Sequence, residues 1–196
     1  MKKHGMKLKD YVLRLDQWIP KHWAEKTASE LEKKEIWARH TYYNSKTKEF
    51  KSLNAEKELD VTWDDDHLTY KQELYHLIWK AIEKYILIEK IGGETFSFWN
   101  GFSKIRFNRY RKNQIMSKHV DHIKSLFPGE PKGIPILSIL GALNDNYTGG
   151  ELIMFDKTKI ELNAGDVVIF PSNFLYPHLI KPVKKGTRYS FISWCY

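Results

Sequence analysis

Cysteine is nearly absent from this 196-residue chain, and Cys195 is the single one. A disulfide within the chain is thereby excluded, as is a cysteine-based zinc site. A reducing, cytoplasmic setting is expected. Long apolar runs are also missing. No stretch approaches the roughly 20 apolar residues of a membrane-spanning helix, so no membrane partner is expected. The basic opening MKKHGMKLKDYVLRL lacks the apolar region of a secretory signal. Several catalytic signatures are absent as well. There is no glycine-rich phosphate loop, no dinucleotide fingerprint, no helical histidine pair of the zinc-protease kind and no nucleophile elbow. Internal repeats and low-complexity tracts are missing too.

What is present suffices for a folded core. Hydrophobic residues make up 42% and aromatic residues 14%, which argues against disorder. The length predicts one domain over 1–196, with a mainly helical support and a surface excursion in 1–93 and a strand-rich core in 94–196. Lys and Arg total 32 against 24 for Asp and Glu, a net charge of +8. That excess reads either as a solvated basic surface or as a field for an anionic partner, a nucleic acid or an acidic small molecule.

The pattern of the first part is helical. Pro20 marks a helix start in 19–34, and Trp23, Ala24, Ala28 and Leu31 follow at helical spacing. Residues 35–43 alternate as a strand does. The polar stretch 44–67 reads as a long irregular surface excursion. Residues 69–93 form a strong helix with Leu74, Leu77, Ile78, Ala81, Ile82 and Tyr85 on its apolar face and Gly92-Gly93 as its stop.

Beyond residue 94 the strands are short and broken by turns. Residues 95–110 alternate around Asn100-Gly101, a hairpin signal. Residues 134–144, IPILSILGALN, suit a strand buried on both faces. Further strands are expected at 151–156, 159–162, 167–171, 176–183 and 187–196. The predicted class is α+β, mainly β: a double-stranded β-helix, or jelly roll, with N-terminal supporting helices. The alternation in YVLRLD at 11–16 permits an edge strand and leaves the oligomeric state open.

Chemistry concentrates in SKHVDHIKSLF, residues 117–127. His119 and Asp121 are two apart, so on a strand they share a face. His122 is out of phase. The pair reads either as two metal ligands or as a polar strand end. His178 is a candidate third ligand, and two histidines with one carboxylate suit iron with open positions for other ligands. Ten residues on stands Arg188, sharing a strand face with Ser190, Ile192, Trp194 and Tyr196. A guanidinium pointing inward there requires an anion, and its planar fork holds a carboxylate with two bonds. Pointing outward, it would join Lys184 and Lys185 in a solvated end. Cys195, in an apolar strand, reads as packing.

In order along the chain, RYRKNQIMSKHVDH, LNDNYTGGELIMF, LNAGDVVIFPSNFLYPH and GTRYSFISW resemble the signature segments of the iron(II)- and 2-oxoglutarate-dependent dioxygenases, most of all their prolyl 4-hydroxylase-like branch. The resemblance covers about residues 95–196. It implies His119, Asp121 and His178 as iron ligands. Arg188 would pair with the distal carboxylate of 2-oxoglutarate, Ser190 would add a hydrogen bond, and Tyr110 would touch the cosubstrate. Gln114 matches a frequent glutamine of the branch and Trp194 an aromatic beside the iron. Two departures stand out. Met116 occupies a position where the branch often has tyrosine, and ILGALN offers small or apolar residues where another tyrosine is frequent.

The implied chemistry is hydroxylation of a C–H bond with Fe(II), 2-oxoglutarate and O2, with ascorbate as reductant. The expected substrate is a prolyl residue of a protein or peptide. The alternatives are a nucleic acid or free metabolite, with stacking and phosphate contacts along WNGFSKIRFNRYRK, and a non-enzymatic jelly-roll module that keeps a metal. Trp63, Trp99 and Met116 are the candidate groove residues, 44–67 a candidate lid and Ile123–Gly133 the mouth of the site.

Overall fold

The computed structural model describes residues 7–44, 46–54, 56–89, 99–123, 126, 129 and 132–196. The first predicted helix spans Lys21–Glu32 (α1), directly after Pro20, whose carbonyl accepts from the amides of Trp23 and Ala24. Ala24, Thr27, Ala28 and Leu31 are its buried stripe. The second spans Lys71–Glu83 (α2) and buries Leu74, Ile78, Ala81 and Ile82. It runs on as wider, π-type turns through Lys84–Glu89. The Gly92-Gly93 stop lies outside the described residues.

The described strands, in chain order, begin with Leu13–Leu15 (β1), Ala38–Arg39 (β2), Tyr42–Asn44 (β3), Glu49–Lys51 (β4) and Asp60–Thr62 (β5). Arg106–Tyr110 (β6), Met116–His119 (β7), Leu137–Ala142 (β8), Thr148–Gly149 (β9) and Leu152–Met154 (β10) follow. The last are Thr158–Ile160 (β11), Val167–Pro171 (β12), His178–Ile180 (β13), Val183–Lys185 (β14) and Arg188–Cys195 (β15). A seven-stranded sheet has the order β1-β12-β8-β15-β6-β5-β2, and a four-stranded one the order β11-β10-β13-β7. Every pairing in both is antiparallel. Two small pairs, β9-β14 and β3-β4, complete the set among the described residues. This is the double-stranded β-helix with helical support that the strand pattern predicts.

Alternation along the large sheet divides two cores. Ile139, Ile169, Tyr189, Phe191 and Cys195 pack with the helical residues Leu31, Leu74 and Ile82. Their neighbours Leu140, Val168 and Phe170 point the other way and meet Met116, Leu152, Met154 and Ile180 of the small sheet. Each such side chain contributes about 1.5–3 kcal/mol when fully buried, so both faces hold the central strands in place. Gly141 is fixed by this packing, because a Cβ there would fall 2.0 Å from the Phe191 ring. In Cys195, burial pushes the thiol pKa up to about 12 and keeps it neutral.

Three expectations change. Residues 35–43 do not form one strand: β2 joins the edge of the large sheet, while β3 pairs with β4 in a separate hairpin. The stretch 44–67 is not a plain surface excursion, since it contains β4 and the buried strand β5, paired to β6. Its polar composition misleads because Asp60 is neutralised inside the fold. Arg109 and Arg111 reach its Oδ2 at 3.1 and 3.0 Å, and Arg39 reaches its Oδ1 at 3.4 Å. The first arm of the hairpin expected around Asn100-Gly101 lies outside the described residues. Its second arm pairs with the end of the chain: the Asn100 amide donates to the Tyr196 carbonyl and the Tyr196 amide to the Gly101 carbonyl.

Candidate active site

His119 ends β7 and His178 begins β13, and the two face each other in register across the small sheet. Asp121 lies two residues beyond His119, where the strand gives way to a loop. One ligand atom from each of the three lies within 4.8 Å of the others. His119 Nε2 is 3.2 Å from Asp121 Oδ1, and His178 Nε2 is 3.8 Å from Asp121 Oδ2.

Hydrogen bonding sets the tautomers. His119 Nδ1 is 2.8 Å from the Ser117 carbonyl, and His178 Nδ1 is 3.2 Å from the Tyr176 carbonyl. A carbonyl only accepts, so each Nδ1 carries the hydrogen and each neutral ring turns a bare Nε2 lone pair inward. Two lone pairs and a carboxylate thus converge with no donor between them. His119 Nε2 and Asp121 Oδ2 are buried without a hydrogen-bond partner among the described residues. Acceptors facing acceptors in a dry site require a cation. The donor set, two imidazoles and one carboxylate on one side of the centre, fits iron(II) and leaves positions open.

The electrostatics agree. Burial alone would push Asp121 up; positive charge on His178 and His119, were the rings protonated, outweighs it, and with the rings neutral a cation held between them would take that part. The carboxyl is held well below the usual carboxylate range. Burial, reinforced by His119, lowers His178 to about 4, so it is a neutral ligand at neutral pH.

His119 and Asp121 open into a cavity of about 400 Å³, with His178 buried behind them. Tyr42, Phe50, Trp63 and Trp194 line its walls, with Met116 and Arg106 deeper in. Trp63 and Trp194 lie 6.1 Å apart. Trp63 and Met116 thus both line the cavity, and the 38–63 stretch frames one side through β2, the β3-β4 hairpin and β5. His122 and Ile123 stand at the rim. Leu126 packs on Ile192 and Trp194. Most of the rest of the predicted mouth lies outside the described residues.

Trp99 does not join this cavity. The chain at 99–103 runs along the end of β15, and this places the Trp99 ring 4.4 Å from Trp79 of α2, on the helical side. It is a packing residue. The basic patch read in WNGFSKIRFNRYRK also dissolves in part. Arg106 lies inside the cavity, while Arg109 and Arg111 are taken up by Asp60.

Arg188 points inward, as its strand parity predicts. It is 1% exposed, donates to Ser190 Oγ at 2.9 Å and lies 4.8 Å from the Tyr110 ring. Among the described residues no carboxylate pairs with it. It lines a second cavity of about 340 Å³ with Tyr147, Gly150, Leu152 and Leu162. Gly150 gives it room: φ there is +65°, and a Cβ would stand 3.1 Å from Arg188 Cδ. Tyr110 links the two cavities, touching Arg188 on one side and Met116 Sδ at 3.6 Å on the other.

Behind the triad is a polar network that sequence reasoning missed. Glu58 is fully buried and accepts hydrogen bonds from the Ser117 and Tyr42 hydroxyls, the latter at 3.4 Å. Ser117 in turn supplies the carbonyl that orients His119. Gln114 donates to the Glu58 carbonyl at 3.1 Å, so the expected glutamine is a support of this network. Burial raises the Glu58 pKa against its hydrogen bonds. The only trace in sequence is that Glu58 sits beside Leu59 in a polar run.

His40, buried beside Tyr42, carries a testable consequence. Burial first, then Arg106 and His119, lower its pKa to about 2. Its folded value lies below the unfolded 6.5, so the unfolded chain takes up a proton that the fold refuses, and stability present above pH 6.5 is lost as pH falls. His178 acts likewise between 6.5 and about 4. Metal-free protein is expected to lose up to about 1.4 kcal/mol per pH unit per histidine across that window. Urea unfolding at pH 7, 6, 5 and 4 checks this, and His40→Gln should flatten the slope. A slope unchanged in the variant would remove His40 from the account.

A sandwich of this topology with a two-histidine, one-carboxylate cluster defines the class: a double-stranded β-helix protein with a candidate metal centre. The comparisons narrow it. The family model of the 2OG-Fe(II) oxygenase superfamily matches residues 105–196. A PKHD-type hydroxylase of Xylella fastidiosa strain M12 is 38% identical over 99 residues, 45% of this chain and 42% of the relative. One from Prochlorococcus marinus strain MIT 9312 is 32% identical over 128 residues, 63% of this chain and 52% of that one. The matches thus span about half the length of these curated relatives or less. In structure, a Trichoplax adhaerens prolyl hydroxylase in complex with a hypoxia inducible factor peptide fragment aligns with a TM-score of 0.74 at 16% identity, covering 95% of this chain and 84% of that one. A Pseudomonas putida prolyl-4-hydroxylase aligns with a TM-score of 0.67 at 18% identity, covering 94% and 92%. Residues 105–196 thus match the 2OG-Fe(II) oxygenase superfamily. No helix among the described residues is long and apolar enough to cross a membrane.

Proposed function

We propose that the chain, acting as one catalytic unit, is an Fe(II)- and 2-oxoglutarate-dependent hydroxylase. The observation that carries this is the convergence of two oriented Nε2 lone pairs and a carboxylate in one buried cluster. His119, Asp121 and His178 would hold the iron. When bound there, with O2 and 2-oxoglutarate, it supplies the oxidising power for C–H hydroxylation, and the cosubstrate leaves as succinate and carbon dioxide.

The protein's own groups bind and orient. Arg188 takes the distal carboxylate of 2-oxoglutarate, with Ser190 fixing the guanidinium and Tyr110 lying alongside. A cosubstrate reaching from the triad to Arg188 passes Tyr110 and Met116. The unbranched thioether of Met116 moves aside more easily than the tyrosine frequent there in the branch. Glu58 and Ser117 hold His119 in its ligating tautomer. Tyr42, Trp63 and Trp194 exclude water above the centre.

For the substrate we infer a prolyl residue of a protein or peptide. The names of the matched relatives and the peptide bound to the Trichoplax protein support this, as does an aromatic-walled cavity suited to a compact apolar ring. Ascorbate as reductant and a cytoplasmic location belong to the same reading. The experiment is incubation with iron(II), ascorbate, 2-oxoglutarate and prolyl peptides, with succinate and a gain of one oxygen atom on the peptide as readouts. Succinate stimulated by peptide is expected. A metal-keeping module without chemistry would form none.

A further inference from the structure

Arg106 is a buried cation with no counter-ion among the described residues. On β6 its side chain shares a face with Asn108 and Tyr110, so it points between the two sheets, and it lines the triad cavity. It is 7% exposed. Its Nε donates to Asn108 Oδ1 at 3.1 Å, while Nη2 is buried without an acceptor among the described residues. Its guanidinium lies 5.1 Å from the Trp194 ring centroid. A ring face offsets only part of the cost of burying a cation. No carboxylate pairs with it among the described residues. Asp121 is committed to the two histidines, and Glu58 is bound by Ser117 and Tyr42. The other arginine lining the cavity, Arg39, is paired with Asp60.

We propose that Arg106 is the seat of a carboxylate carried by the substrate. This rests on the hydroxylase reading, and charge counting deepens it. Iron(II), Asp121, the two carboxylates of 2-oxoglutarate and Arg188 sum to zero. Arg106 then leaves one positive charge beside the reacting centre. One guanidinium with one free edge matches a monoanion and its planar oxygens. A phosphate, with its charge near −2, would call for more donors than the cavity shows. The apolar body of the substrate would lie against Tyr42, Trp63 and Trp194. The carboxylate has two sources, a free or C-terminal carboxyl and an acidic side chain.

The test uses the protein loaded with Mn(II) and 2-oxoglutarate, in which binding is read without turnover, by calorimetry. N-acetylproline and benzoate present a terminal carboxylate, the α-amide of N-acetylaspartate a side-chain one, and N-acetylproline amide and benzamide none. At least one acid is expected to bind about tenfold or more tighter than its neutral amide, the size of one charge-assisted contact. Which acid does so names the source. Arg106→Met should abolish the preference, leave 2-oxoglutarate affinity unchanged and not lower the melting temperature, whereas a merely structural arginine would lower it. Arg106→Lys should restore part of the preference. The proposal is overturned if no acid is preferred or none binds at about 10 mM, if Arg106→Met keeps the preference, or if phosphoserine amide binds tighter than the acids. It is also overturned if Arg106→Met weakens 2-oxoglutarate as Arg188→Met does. Failure to form succinate would instead strike at the hydroxylase reading, with the binding preference intact.

Discussion

Asp121→Ala is expected to abolish both metal binding and turnover while the protein stays folded. The carboxylate is the only anion in the cluster, and two neutral imidazoles hold a divalent ion poorly. Supporting residues around metal sites are worth 10–100-fold in affinity, so loss of a ligand should cost at least about 100-fold. Succinate formation should fall by about three orders of magnitude or more, because the iron does the difficult step. Asp121→Asn keeps the shape and removes the charge, and it should behave almost as badly. Mn(II) binding followed by electron paramagnetic resonance gives a readout independent of activity. Unchanged Mn(II) affinity in both variants would show that the cluster is not the metal site.

Arg188→Met should separate cosubstrate binding from metal binding. Arg188 is 1% exposed and has no carboxylate partner among the described residues. In the free protein it is a cost, and exchange for an apolar side chain of similar volume is expected to leave stability equal or higher. Once 2-oxoglutarate is bound, the same residue carries a charge pair in a dry site. Truncating one partner of such a pair costs about 2–5 kcal/mol, that is about 30-fold to several thousand-fold in affinity. Titration of Mn(II)-loaded protein with 2-oxoglutarate measures it. If the variant binds the cosubstrate as well as the parent does, Arg188 has another role.

Much of this site was legible in the chain because strand chemistry is local. The two-residue spacing of Arg188 and Ser190 puts that pair on one face of β15, and that of His119 and Asp121 keeps both within reach of His178 although the strand ends at His119. Arg188 lies buried beside Ser190, and His122 stands at the cavity rim outside the triad. What was illegible depends on partners far away in sequence. The buried strand Asp60–Thr62 looked like loop because its aspartate is neutralised by arginines about 50 residues on. Trp99 looked like a groove residue because nothing local says that residues 99–103 run beside Trp194–Tyr196. Strand parity puts Arg106 on the face of Tyr110 and opposite Arg109 and Arg111, but the basic run RFNRYRK hid that difference behind one apparent patch of charge.

The walls and the floor of the cavity come from different parts of the chain. The triad, Arg106, Arg188 and Trp194 lie within the segment that the family model matches, while His40, Tyr42, Phe50 and Trp63 lie before it. The early segment is stitched to the later one by β5 pairing with β6 and by the arginines on Asp60. Part of the cavity wall is therefore encoded apart from the triad. The β3-β4 hairpin pairs with neither main sheet and projects from that anchored base, so loops grafted between related hydroxylases at residues 42–51 would exchange what is recognised and leave what is done to it alone.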